Sequence, residues 1–113
     1  YKRTDRVGDE IRHVLGNLFI SEAFIPEAGL LTVTKVLVTD DLKLAKIYLS
    51  FLENKKSVED LLLLLGTKHK LIRHQMGMKL TLKYIPQLRF YYDDSLKQSE
   101  QIDRIIKKIH NND

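Results

Sequence analysis

Four histidines, two Asp-Asp pairs and one run of bases without acids are the positions in this sequence whose types and spacing bear on chemistry. His69 and His74 are five apart, off the i, i+4 spacing that brings two imidazoles to one ion on a helix, and His13 and His110 fall on polar helix faces. The histidines therefore read as exposed side chains, with no metal site. Asp40-Asp41 and Asp93-Asp94 each close a strand-like segment, where turn-forming or helix-capping roles suffice for short carboxylates. No G-x-S-x-G, Walker A loop or G-x-G-x-x-G occurs, so no catalytic residue is assigned and the chain does not read as an enzyme.

The bases say more. Between Thr67 and Arg89 stand Lys68, Lys70, Arg73, Lys79, Lys83 and Arg89, with no Asp or Glu among them and with His69 and His74 as optional charges. Such a segment cannot neutralise itself locally. Its field attracts phosphate, and binding releases counterions from a polyanion. It also begins where one helix stops and the next starts, and the positive end of a helix dipole suits an anion. Tyr48, Tyr84, Tyr91 and Tyr92 have rings that can stack on bases, but without an RNP-type aromatic pattern they read as core or sheet filler.

Several elements must position these residues. Thr4 or Asp5 caps a first helix spanning about 5–20, with Val7, Ile11, Val14, Leu15, Leu18 and Phe19 as one apolar stripe. Pro26 and Gly29 break the chain. Residues 31–38 are rich in β-branched types, and residues 44–52 alternate Ala45, Ile47, Leu49 and Phe51 against Lys46, Tyr48 and Ser50. With Thr39-Asp40-Asp41 as the turn, they form an antiparallel hairpin. The alternation slips near Lys35, which a bulge or an unusually buried strand explains. Ser57 caps a helix through Leu61 to Leu65, Gly66-Thr67 interrupts it, and a further helix from Lys68 to Met76 stops at Gly77 in a left-handed cap. Leu88, Phe90 and Tyr92 alternate along a third strand, and a last helix from Ser95 rests on Ile102, Ile105, Ile106 and Ile109. One core is expected to gather Leu18, Phe19, Ile47, Leu49, Phe51, Leu62, Ile72, Phe90 and Tyr92.

Length and composition fit this order. The 113 residues suit one domain, and a hydrophobic fraction of 43% can bury a core without metal or disulfide. Nineteen Lys+Arg against 15 Asp+Glu leave a net charge of +4, mildly basic. Cysteine is absent, which removes disulfide scaffolds, thiolate zinc sites and thiol catalysis and fits a cytosolic protein. The longest apolar run, Leu61 to Leu65, is far short of the roughly 20 residues that span a bilayer. No basic-then-apolar leader opens the sequence, and a start at Tyr1 rather than Met leaves room for a preceding segment.

The element order resembles a type II KH domain, and three segments together resemble the ribosome-binding factor A family. They are Arg6-Val7 with its amphipathic helix, Val38-Thr39-Asp40-Asp41-Leu42 running into Ala45 to Leu52, and Ile85-Pro86-Gln87-Leu88-Arg89-Phe90-Tyr91-Tyr92-Asp93-Asp94-Ser95. The order agrees from about residue 3 to 107. The resemblance implies an α+β fold: a KH-like domain over 1–95 with a helical extension of the same domain over 96–113, its three-stranded sheet carrying helices on one face. It implies a non-catalytic, cytoplasmic, monomeric assembly factor with no cofactor. Such a factor binds the immature small (30S) ribosomal subunit and its precursor rRNA, promotes maturation and processing of that RNA, is linked to growth in the cold, meets other assembly factors and has no membrane partner. KH domains hold nucleic acid at a Gly-x-x-Gly loop between two helices, which this family replaces with an Ala-x-Gly kink. Counting back from Gly77, Lys68-His69-Lys70 stand there, a departure that adds positive charge, with Gly66 available to make the turn. Lys68, His69, Lys70, Arg73, Lys79 and Lys83 are the expected RNA contacts, joined by Arg3 and Arg6. A general KH-type RNA-binding module and a protein-interaction domain with an incidental basic face are the competing readings.

Overall fold

The apolar stripe of the first helix docks as its spacing requires. In the computed structural model, which describes residues 2–95, helix α1 runs Arg3–Ser21 and buries Val7, Ile11, Leu15 and Leu18. Its cap lies earlier than Thr4 or Asp5: Lys2 is the capping residue, and Asp5, already inside the helix, accepts the Lys2 N–H at 3.3 Å. An acid in the first turn does from within what a capping side chain does from outside.

A short 3-10 turn, Pro26–Ala28, leads into strand β1, Leu30–Val38, which pairs antiparallel with β2, Leu44–Leu52. The slipped alternation is a bulge. Val33 faces Leu49 and Lys35 faces Tyr48, leaving Thr34 as the extra residue. The turn works as its composition implies: Asp41 Oδ1 accepts the Thr39 hydroxyl at 2.7 Å and the Lys43 N–H at 3.0 Å, and these bonds lower the Asp41 pKa.

Helix α2, Val58–Thr67, starts at Ser57, whose hydroxyl oxygen accepts the Asp60 N–H at 3.2 Å. Helix α3, His69–Gly77, follows directly. Gly66 and Thr67 therefore belong to α2 and do not interrupt it. The break is at Lys68, where ψ is near 1° and the N–H is shared between the Leu64 and Leu65 carbonyls. Nor is Gly77 a left-handed cap, since its φ is not positive and Met78 after it is still right-handed. The glycine is there for space: a Cβ would stand 3.1 Å from Ile85 Cγ1, where the following loop crosses the helix end. Strand β3, Gln87–Tyr92, joins β2 in parallel, giving the sheet order β1-β2-β3.

All three helices pack over the face that carries Ala45, Ile47 and Leu49, each fully buried, making one α+β, KH-like core with Leu61, Leu65, Ile72 and Met76. Of the expected core set, Leu18, Ile47, Leu49 and Ile72 are buried, whereas Phe19, Phe51, Leu62 and Phe90 pack half-buried at its margin. Tyr92 is half-buried and stacks on Phe51 with ring centroids 6.1 Å apart. In the leucine run the buried positions are Leu61 and Leu65, with Leu63 71% exposed, because five identical residues carry no mark of which face turns inward. The expected last helix over Ile102, Ile105, Ile106 and Ile109, and His110 with it, lie outside the described residues.

Candidate nucleic-acid interface

The loop between α3 and β3, residues 78–86, connects most of the candidate residues, and two distant side chains hold it. From α1, Glu10 Oε1 accepts both the Thr81 N–H and the Thr81 hydroxyl at 3.0 Å. From α3, Arg73 donates through Nε to the Pro86 carbonyl at 3.0 Å and through Nη2 to the Ile85 carbonyl at 2.6 Å. These are charge-assisted bonds to backbone groups, and they fix where the loop's own cations stand.

Lys68, Lys70, Lys79 and Lys83 are exposed, and His69 is half-buried. The start of α3 coincides with Lys68, His69 and Lys70, and its first turn carries no acid, so the positive end of the helix dipole is not offset there. An open groove between α3 and the loop is lined by His69, Lys70, Arg73, His74, Lys83 and Tyr84. Lys83 lies 5.5 Å from the centre of the Tyr84 ring, and that ring is 77% exposed. The adjoining grooves bring in Arg3, which lines both, and Arg6, which lines one, each meeting Lys83 from the start of α1. Residues nearly eighty positions apart thus form one basic arc.

Two members of the acid-free segment stand apart. Arg73 is half-buried with its guanidinium turned to the loop carbonyls, so it positions the arc more than it extends it. Arg89 lies on β3 opposite Lys46, across the sheet from the core. Glu10, the other anchor of the loop, was not singled out by sequence; nothing local in α1 marks it, and its partner is 71 residues away.

The sequence and the fold match known proteins. The sequence model of the family described as "Ribosome-binding factor A" matches residues 3–106. This chain belongs to the ribosome-binding factor A family. Relatives of that name include one from Staphylococcus carnosus, 34% identical over 111 residues and covering 98% of this chain and 96% of the relative. Another, from Syntrophobacter fumaroxidans, is 35% identical over 118 residues, covering 100% and 98%. The crystal structure of ribosome-binding factor A from Thermus thermophilus superposes with a TM-score of 0.70 at 17% identity, covering 81% of this chain and 97% of that one. A homology model of the Thermus thermophilus factor, fitted into a cryo-EM map of a 30S complex, gives 0.65 at 17% identity, covering 77% and 91%.

Among the described residues no three His, Cys, Asp or Glu side chains are grouped to hold a metal, and no helix is long and apolar enough to cross a membrane. The break between α2 and α3 falls at Lys68, and Gly66 lies within α2 without a positive φ.

Proposed function

We propose that this chain binds the immature small ribosomal subunit through the arc of Lys68, Lys70, Lys79, Lys83, Arg3 and Arg6, joined by His69, and biases its precursor rRNA toward the mature conformation. The observation that carries this reading is that Arg3 and Arg6 from α1, Lys70 from α3 and Lys83 from the 78–86 loop line adjoining grooves, with Lys68 and Lys79 exposed near either end of α3 and with Arg73 and Glu10 holding the loop. In this reading the factor is not an enzyme. It shifts an RNA equilibrium by its difference in affinity for two conformations. It works as a cytoplasmic monomer alongside other assembly factors, and it matters most in the cold, where RNA rearranges slowly. Residues 1–95 form the binding unit and 96–113 extend it. The family membership and the 30S complex of the Thermus thermophilus relative support the choice of the small subunit as partner.

Co-sedimentation tests the reading, with Lys68→Ala, Lys70→Ala and Lys83→Ala combined and Arg73 left in place to keep the loop. Each is an exposed substitution, costing about half a kcal/mol of stability or less. If each side chain meets one phosphate, the slope of log K against log salt becomes shallower by roughly 2 to 3 units, at about 0.7–0.9 per contact. The wild-type chain is expected to travel with immature small subunits in preference to unrelated RNA. Unchanged affinity and slope in the triple variant would overturn the assignment of the arc. Equal enrichment on unrelated RNA would instead favour a general RNA-binding module.

A further inference from the structure

The sheet has a second face, opposite the helices, and its register places chemistry there. Because Ala45, Ile47 and Leu49 point into the core, the intervening Lys46 and Tyr48 point away from it. Pairing extends them into two rows across all three strands: Leu37–Lys46–Arg89 and Lys35–Tyr48–Tyr91. Tyr48 and Tyr91 are stacked, with ring centroids 5.3 Å apart and planes at 23°. Lys35 Nζ lies 4.5 Å from the centre of the Tyr48 ring. Neither row contains an acid. Asp93, just beyond the end of β3, is engaged by the Thr34 hydroxyl at 2.6 Å and by the Ser95 N–H at 3.0 Å.

We infer that this face, on which none of the described helices packs, is a stacking platform for a single-stranded RNA segment, separate from the basic arc. Tyr48 lies between Lys35 and Tyr91, so the stacked pair offers a base the outer face of half-buried Tyr91, on the edge strand and next to three cations, and that combination recognises bases and phosphates together. A duplex has its base faces covered and meets only the cations. The strand ladder fixes the rings and cations at sheet spacing, so the platform is pre-organised. The choice of RNA rests on the reading in the preceding section; the existence of the platform does not.

Binding of a short fluorescein-labelled oligouridylate by the full chain, read by anisotropy and by quenching of tyrosine emission, tests the inference; the chain has no tryptophan to obscure that emission. Tyr48→Leu with Tyr91→Leu is expected to weaken binding about tenfold or more and to remove most of the quenching. Lys46→Ala with Arg89→Ala leaves the rings in place and is expected to make the salt slope shallower by roughly 1.4 units, at about 0.7 per single-strand phosphate. This second pair decides the matter if the tyrosine pair fails to fold. The Lys68/Lys70/Lys83 triple variant is expected to keep the quenching. Absence of quenching in the wild type would overturn the platform, as would quenching retained without both rings or equal binding of an RNA duplex unaffected by the tyrosine changes. Loss of small-subunit binding in the triple variant alone would leave the preceding reading standing, so the two fail separately.

Discussion

The basic arc and the second sheet face both combine lysines with tyrosines, yet they are held by opposite means. On the sheet, Lys35, Tyr48 and Tyr91 occupy consecutive strands, and the backbone ladder sets their separation. Around the α2–α3 break, Lys70, Lys83 and Tyr84 stand on a helix and an irregular loop, placed by the Arg73 and Glu10 hydrogen bonds. A ladder gives rigid spacing that suits flat rings. Long lysines on a pinned loop give adjustable charge that suits phosphates at varied positions. The placement of the arc should therefore be vulnerable at the single side chains that anchor its loop, and the placement of the platform only where the sheet itself is damaged.

The largest expected effect damages both at once. Ile47 is fully buried on the central strand, directly behind the platform and beneath the helices that carry the arc. Ile47→Ala should cost about 2–5 kcal/mol through lost transfer energy and the cavity left behind, measured by chemical denaturation. A loss below about half a kcal/mol would mean that the two surfaces do not share a core.

Arg73→Ala sharpens the comparison further. It removes two charge-assisted bonds to backbone carbonyls, with an expected loss of roughly 1.5–3 kcal/mol. Hydrogen exchange should rise more at the 78–86 loop amides than in β1 and β2. Equal acceleration in the sheet would mean that the arc and the platform are one mechanical unit.

The smallest expected effect is at the bulge. Thr34 donates to Asp93, and this bond, followed by those from Ser95, lowers the Asp93 pKa from 3.8 to about 2. A folded pKa below the unfolded value stabilises above the unfolded pKa and loses that contribution as pH falls through the folded one. Thr34→Val should therefore cost about 1 kcal/mol at neutral pH, and the gap to wild type should narrow as the pH drops from near 3.8 toward 2. A gap independent of pH would show that the hydroxyl acts through the Tyr48 carbonyl, 3.2 Å away, and not through Asp93.

Much of this was legible locally. The parity slip at Lys35 marked an irregularity that a bulge or an unusually buried strand would explain, and the register shows the bulge; Ser57 and Asp41 make the bonds that their types predict. The leucine run was opaque because identical residues give a helix no phase, and Gly77 misled because close packing and left-handed turns both favour glycine. Among the site residues, the exposed lysines followed from charge alone. Arg73 counted as one more cation until the loop carbonyls twelve and thirteen residues on were in place.

By itself the sequence determined the helices, the strands and the segregation of bases from acids, since periods of 3.6 and 2 and the cost of burying charge act between near neighbours. Only the tertiary structure decided that β3 joins β2 in parallel, that Arg89 leaves its basic neighbours for the opposite face, and that Arg3 and Arg6 meet Lys83. Those outcomes depend on register and on which backbone groups a long side chain reaches, and both are set by contacts between residues far apart in the chain.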